Sequence, residues 1–188
     1  MDGNRLYFLI GDVSGKGVPA SLFMAITRSL FRTLSQQVLS PAKIVTDMNN
    51  SISDNNESNM FVTLIVGILD LETGKLKLCN AGHNPPILIR PDGQVSFLEF
   101  KTQIFVGVIE EFAYTEDETT LEKGSKLFLY TDGVTEAENT EKELYGDEKL
   151  LETLSDNTTS DVRTTVNGIV DSIAAVSYTH LTLPTNRE

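Results

Sequence analysis

The chain is most constrained by a nearly continuous apolar run at residues 61–69, which only Thr63 and Gly67 interrupt. Uniformly apolar strands are typical of strands covered on both faces, whereas strands with one wet face alternate between apolar and polar residues. A membrane-spanning helix needs roughly twice this length. We therefore predict a strand buried between other elements, and no membrane span.

The surrounding segments predict the order of the remaining elements. A strand at 5–10 and a glycine-rich turn at 11–17 precede helices at 19–39 and 41–52. In the first helix, apolar residues every four positions predict one buried stripe: Leu22, Ile26, Leu30, Leu34 and Val38. After the apolar run we expect a hairpin turn at 70–74, strands at 75–78, 87–90, 95–98, 112–115 and 126–130, and helices at 147–154 and 162–174. Because strands and helices do not alternate strictly, the pattern favours an α+β fold, with antiparallel sheets and helices packed outside them.

Charge and cysteine content exclude several classes of function. Fifteen Lys and Arg residues against 27 Asp and Glu residues give a formal net charge of −12, which disfavours nucleic acid and anionic membrane partners. The single cysteine, Cys79, excludes an internal disulfide and a cysteine-rich zinc site. The first residues lack the features of a secretion signal. We expect a folded protein of one domain in the cytoplasm.

Two predicted strands end in an aspartate that turn residues follow, at Asp12 and at Asp132. A carboxylate in this position is held by a strand yet reaches the edge of a sheet. Two such carboxylates repel each other when they meet, and a hard divalent cation such as Mg²⁺ or Mn²⁺ relieves that repulsion. The alternative is that each aspartate only stabilises its turn, because Asp before Gly is common in turns.

Other catalytic patterns fail on spacing. The segment around Lys16 has three residues between its glycines instead of the four of a phosphate-binding loop. Cys79 and His83 lie four residues apart with no special geometric support for a nucleophile and base pair. A serine hydrolase elbow is missing at Ser14, which lacks the first glycine of that motif.

Four segments together resemble one family, the metal-dependent protein serine/threonine phosphatases (PPM, type 2C), in their bacterial SpoIIE-like branch. They read Gly-Asp-Val-Ser-Gly-Lys-Gly-Val-Pro-Ala at 11–20, Asn-Ala-Gly-His-Asn-Pro-Pro at 80–86, Tyr-Thr-Asp-Gly-Val-Thr-Glu-Ala at 130–137 and Tyr-Gly-Asp-Glu at 145–148. The resemblance implies an αββα sandwich of two antiparallel sheets flanked by helices, with the phosphatase domain at 3–176.

The resemblance also implies the site and its chemistry. Asp12 corresponds to a metal-bridging carboxylate, the backbone carbonyl of Val13 to a further ligand, and Asp132 to a ligand from the opposite sheet. Asp12 and Asp132 are thus the catalytic residues of a two-metal Mn²⁺ or Mg²⁺ site, at which activated water attacks the phosphate. The implied substrate is a phosphoserine or phosphothreonine on a regulatory protein, such as an anti-sigma-factor antagonist. The implied regulator is an upstream sensor domain or partner, whose signal the first two helices relay.

The sequence departs from the family pattern at both ends. Family members carry one metal aspartate upstream of Met1 and another near the C-terminus, so we expect a chain truncated at both ends that lacks edge strands. Residues 177–188 form an atypical tail and are interpreted as foreign sequence. With two of about four carboxylates, this chain is expected to bind ions weakly and to have weak or no activity. The alternative function is a non-catalytic interaction module that keeps the sandwich.

Overall fold

A computed structural model describes residues 4–54, 56 and 59–176, so the predicted tail at 177–188 lies outside the described residues. Helices and strands follow each other in the order β1 (Arg5–Val13), α1 (Gly17–Leu34), α2 (Pro41–Ser53), β2 (Val62–Asp70), β3 (Lys75–Ala81), β4 (Ile87–Ile89), β5 (Val95–Phe97), β6 (Asp117–Thr120), β7 (Lys126–Phe128), α3 (Asp132–Thr135), α4 (Gly146–Asp156) and α5 (Val162–Val176). None of the helices within these ranges is both long and apolar enough to cross a bilayer.

The strands form two antiparallel sheets. One sheet has four strands in the order β1-β2-β3-β6, and the other has three strands in the order β5-β4-β7. The apolar run forms β2, which lies inside the larger sheet between β1 and β3. Its prediction as a buried strand is therefore confirmed.

Three apolar clusters separate four layers. The first packs α1 and α2 on one face of the larger sheet, and includes Val62, Leu64 and Val66 of β2. The second lies between the sheets and includes Ile65 of β2 and Leu88 of β4. The third packs α4 and α5 on the outer face of the smaller sheet. This arrangement of helices, two sheets and helices confirms the predicted αββα sandwich.

Gly67, one of the two interruptions of the apolar run, makes room between the sheets. A Cβ atom at this position would lie 2.1 Å from Cζ of Phe8 on the neighbouring strand. The ring of Phe8 therefore occupies the space that a side chain on β2 would need. Glycine here serves the packing of the core between the sheets.

The predicted stripe on α1 is wrong in its first half. Leu22 and Ile26 are 61% and 54% exposed, whereas Leu30 and Leu34 pack into the core beside the helices. A spacing of four residues advances about 40° around a helix with 3.6 residues per turn, so such a stripe turns from solvent toward the core along the helix. The helix also ends at Leu34, before the predicted residue 39.

The strand predicted at 112–115 is also wrong. Tyr114 is buried in the core beneath α2, and its backbone N–H donates to Oγ1 of Thr46 instead of to a strand. The strand that pairs with β3 is the following polar segment, β6, where Lys75 forms an ion pair with Glu118. Cross-strand ion pairs stabilise an edge strand of low β propensity, a contribution that apolar patterning does not reveal.

Candidate metal centre at one end of the sandwich

Asp12 lies at the C-terminal end of β1, an edge strand of the larger sheet. Side chains alternate along a strand, so Asp12 shares a face with Phe8 and Ile10, which pack between the sheets. It is exposed, and in the register of the larger sheet it lies opposite Thr63 of β2. Asp12 is therefore the last residue on the face of β1 that points between the sheets, and its carboxylate lies at the open end of the core between them.

Asp132 approaches the same end from the smaller sheet. It is the first residue of α3, a short helix that begins four residues after β7 ends, with Thr131 as its N-cap. Its side chain is half-buried. The sequence predicts Asp132 in a turn after a strand, and the structure adds the short helix.

His83 lies between the segments that carry the two aspartates. Its Nδ1 atom is 2.9 Å from Oγ1 of Thr63, the residue opposite Asp12. Its Nε2 atom is 3.1 Å from the backbone oxygen of Tyr130, two residues before Asp132. The imidazole therefore connects the two sheets directly beside the predicted site.

The electrostatics of His83 place both carboxylates near the ring. Burial lowers the pKa of His83 below its ordinary value, while the hydrogen bond to Tyr130 and the charges of Asp12 and Asp132 act in the opposite direction. Burial prevails, so the ring is neutral at physiological pH. Thr63, opposite Asp12, and Tyr130, two residues before Asp132, both contact this imidazole, so the two aspartates lie at the same end of the sandwich.

The two carboxylates are available to an external cation. In the described part of the chain, the carboxylates of Asp12 and Asp132 form no ion pair or hydrogen bond, and only the backbone oxygens of the two residues accept from side chains. Val13 contributes its side chain to the helix-covered core, on the face opposite to Asp12, so only its backbone remains for a ligand role. Across these residues, no group of three or more His, Cys, Asp or Glu side chains has the arrangement of a metal site.

A rigid turn at 80–83 holds the imidazole in place. The side-chain amide of Asn80 accepts from the backbone N–H of His83 at 2.8 Å and donates to its carbonyl at 3.0 Å. Gly82 has a φ of +77°, and a Cβ atom there would lie 2.0 Å from Cδ1 of Phe105. Glycine is therefore needed both for the backbone conformation and for the close packing.

Cys79, at the start of this motif, has a structural role. Burial raises the pKa of its thiol to about 12, and its sulfur accepts from Nε2 of Gln103 at 3.8 Å. A thiol with so high a pKa has almost no thiolate at neutral pH. The raised pKa of Cys79 thus agrees with the sequence, whose spacing gives no special support for a catalytic pair of Cys79 and His83.

Sequence reasoning missed His83 and Thr63 as parts of the site. The signal for Thr63 was present, because it is the only polar residue in a run that is otherwise apolar and covered on both faces. A polar group in such a position requires a hydrogen-bond partner. The partner is His83, 20 residues further along the chain.

Comparison with known proteins identifies the family. The model of the family Stage II sporulation protein E (SpoIIE) matches residues 2–182. This chain belongs to the SpoIIE family. The resemblance drawn from the four motifs is confirmed.

Two curated relatives place the SpoIIE-family domain within longer proteins. Protein IcfG of Synechocystis sp. is 32% identical over a match that covers 81% of this chain and 28% of the relative. Phosphoserine phosphatase RsbU of Bacillus subtilis is 27% identical over a match that covers 92% of this chain and 51% of the relative. The chain thus spans about half, or less, of the length of these relatives.

Solved structures share the fold. The RsbU and RsbW domains of Rv1364c from Mycobacterium tuberculosis match with a TM-score of 0.81 at 21% identity, covering 93% of this chain and 49% of that one. PstP in complex with two manganese ions matches with a TM-score of 0.67 at 15% identity, covering 93% and 86%. RsbX in complex with magnesium matches with a TM-score of 0.66 at 17% identity, covering 95% and 77%. The roles of Asp12, Val13 and Asp132 as metal ligands stay predictions for this chain.

Proposed function

We propose that this SpoIIE-family domain hydrolyses phosphoserine or phosphothreonine on a regulatory protein, with Mn²⁺ or Mg²⁺ held by Asp12 and Asp132. The observation that carries the proposal is that His83 bonds both to Thr63, which lies opposite Asp12, and to Tyr130, two residues before Asp132, although the two aspartates are 120 positions apart in sequence (132 − 12 = 120). Asp12 lies in β1 of the larger sheet, and Asp132 begins the short helix α3 that follows β7 of the smaller sheet, so the two sheets bring them to the centre from opposite sides. The phosphoserine phosphatase activity in the name of the relative RsbU supports this proposal.

The donor atoms fit a hard divalent cation. Two carboxylates and the carbonyl of Val13 offer oxygen only, which is the ligand type that Mg²⁺ and Mn²⁺ prefer. Mg²⁺ in proteins is commonly held by one or two carboxylates, with water and substrate phosphate in its other positions. Once bound, a pair of such cations supplies activated water and screens the charge of the phosphate.

The residues of the chain leave the attack to water. Cys79 is buried, and its raised pKa keeps it protonated. The hydroxyl oxygen of Ser14 accepts a hydrogen bond from the backbone N–H of Phe61 at 2.9 Å, which holds the end of β1 against the segment before β2. His83 has both ring nitrogens in hydrogen bonds. The proposed roles are therefore cation binding by the two aspartates and fixation of their strands by the groups around them.

The relatives support a proposal for the substrate and the regulator. RsbU of Bacillus subtilis is a phosphoserine phosphatase, and one structural neighbour combines RsbU and RsbW domains in one protein. We propose that the substrate is a phosphorylated partner protein, such as an anti-sigma-factor antagonist, and that a sensor domain or regulator controls the domain. Cytoplasmic location is part of this proposal, in agreement with the single buried cysteine.

A second candidate is a module that binds a phosphoprotein without hydrolysing it. The observation in its favour is that, among the residues the structure describes, the site offers two carboxylates and no cluster of three potential metal-binding side chains. Phosphate binding without turnover separates this candidate from the enzyme.

The test is Mn²⁺-dependent release of phosphate from a phosphoserine-bearing protein by the purified chain. We expect weak release by the native chain, in line with its two carboxylates, and a further loss of at least about 100-fold in Asp12→Ala and Asp132→Ala, since loss of a direct ligand exceeds the effect of an outer-shell partner. Asp171→Ala is the matched control, because Asp171 is an exposed aspartate on α5.

Undiminished turnover in both site variants would overturn the assignment. Retention of the phosphoprotein without any phosphate release by the native chain would favour the binding module. A loss of turnover in Asp171→Ala as large as in the site variants would also contradict the proposed centre.

A further inference from the structure

His83 uses both of its ring nitrogens within the protein. Its neighbours are a hydroxyl on the larger sheet, Thr63 Oγ1 at 2.9 Å, and a backbone carbonyl beyond the smaller sheet, Tyr130 O at 3.1 Å. The side chain is 4% exposed. An imidazole with both nitrogens engaged and almost no access to solvent is not free to bind a metal ion or to exchange protons with a substrate.

The partners define the tautomer. A carbonyl oxygen only accepts, so Nε2 carries the proton and donates it to Tyr130. In a neutral ring Nδ1 is then the acceptor, and the hydroxyl of Thr63 donates to it. The orientation of the ring is therefore fixed by two directional bonds, one to β2 of the larger sheet and one to the segment between β7 and α3.

Each bond lies beside one of the proposed ligands. Thr63 is opposite Asp12 in the register of β1 and β2, and its Oγ1 is also 3.4 Å from the backbone oxygen of Asp12. Tyr130 precedes Asp132 by two residues along the chain. A shift of the end of β1, or of the segment between β7 and α3, therefore moves one carboxylate relative to the other. The bonds of the imidazole to both sides restrict such a shift.

We propose that His83 is a positioning residue, which together with Thr63 sets the separation of Asp12 and Asp132 and thereby tunes the affinity for the divalent cation. This inference rests on the proposed function, since it assumes a cation at the two aspartates. It adds two residues, His83 and Thr63, that influence the affinity for the cation without binding it. Outer-shell partners of this kind commonly change metal affinity by about 10-fold to 100-fold.

The most selective variant is Thr63→Val, which preserves the shape of the side chain and replaces the hydroxyl with a methyl group. We expect Mn²⁺ affinity, measured by titration calorimetry on the full chain, to fall about 10-fold. Thr63→Ser keeps the hydroxyl and is expected to retain native affinity. Thr165→Val is the matched control: Thr165 is a buried threonine on α5 whose hydroxyl donates to the carbonyl of Asp161 at 3.0 Å.

A second measurement does not need the metal. Nitrogen-15 NMR of the metal-free chain reports which ring nitrogen of His83 is protonated. We expect Nε2 protonated and Nδ1 unprotonated in the native chain, with a changed Nδ1 shift in Thr63→Val and an unchanged one in Thr165→Val. A ring protonated at Nδ1 in the native chain at neutral pH would overturn the proposed bond pattern.

The outcomes separate the inference from the proposed function. If Asp12→Asn abolishes Mn²⁺ binding while Thr63→Val binds as the native chain does, the metal site stands and the positioning role of His83 is wrong. If Asp12→Asn and Asp132→Asn both bind Mn²⁺ normally, the metal site itself is wrong, and the inference fails with it. Equal losses of affinity in Thr63→Val and Thr165→Val would show a general effect of stability and would also overturn the inference.

Discussion

Two polar junctions connect layers of this sandwich, and they differ in burial and charge. At the site end, the neutral ring of His83 joins the two sheets. Near the other end, the carboxylate of Glu116 accepts from Ser40 at 2.5 Å, from the N–H of Ala42 at 3.1 Å and from Lys77 at 3.1 Å, so it joins the start of α2 to the larger sheet. The Glu116 side chain is 21% exposed.

The difference shows where a charge is tolerated. Glu116 keeps some contact with water and gains a lysine, and although burial raises its pKa, the hydrogen bonds from Ser40, Ala42 and Lys77 prevail and lower it overall. His83 is almost fully buried and has no acidic side chain in direct contact with its ring nitrogens, so burial prevails and the ring stays neutral. The site end thus gains rigidity from a neutral group, and the charge there is left to the two aspartates.

The largest expected effect on stability comes from His83→Leu. The substitution leaves the hydroxyl of Thr63 and the carbonyl of Tyr130 buried without their partner, and each unpaired group costs about 1–3 kcal/mol. We expect the free energy of unfolding to fall by about 2–4 kcal/mol, measured by urea denaturation. A change below about 0.5 kcal/mol would contradict the proposed importance of this junction.

Glu116→Gln should have a smaller effect. The amide keeps the shape and an oxygen acceptor for the helix cap but loses the attraction to Lys77, and we expect a loss of about 1 kcal/mol by the same measurement. Glu118→Gln is the matched control, because Glu118 forms a more exposed ion pair with Lys75. An equal loss in both variants would show that the junction at Glu116 is no stronger than a surface ion pair.

Acid should begin to weaken the His83 junction at a higher pH than the Glu116 junction. The pKa of His83 is lowered from 6.5 in the folded state, so its contribution is present above that value and is lost as the pH falls through the folded pKa. The pKa of Glu116 is lowered from 4.5, so its contribution is lost only at still lower pH. In a measurement of stability against pH, His83→Leu should lack the decline that begins below pH 6.5. Glu116→Gln should show a reduced decline at the lower pH. A native chain that becomes more stable as the pH falls below 6.5 would contradict this prediction.

Much of the fold could be predicted because it rests on local patterns. The apolar run at 61–69 indicates a strand covered on both faces, and Ser40 before Pro41 marks the start of α2, where the Ser40 hydroxyl accepts from the N–H of Lys43. The strand β6 could not be predicted in this way. It is polar, and it pairs with β3 across 35 residues of intervening chain (117 − 81 − 1 = 35).

The site could be predicted only in part. Asp12 and Asp132 stand out because each follows an apolar strand and precedes a turn residue. The role of His83 depends on partners 20 and 47 residues away, and one of them is a backbone carbonyl that no sequence pattern reveals. Hydrogen bonds to the backbone carry no residue signature, so a structure is needed to find them.

The central claim is that Asp12 and Asp132 bind the same metal centre, and its most direct test is a double-mutant cycle on Mn²⁺ affinity. Titration calorimetry of the native chain, Asp12→Asn, Asp132→Asn and the double variant measures whether the two losses are coupled. We predict that each single variant loses most of the affinity and that the double variant loses far less than the sum of the two losses. Native affinity in both single variants, or strictly additive losses, would contradict a shared centre.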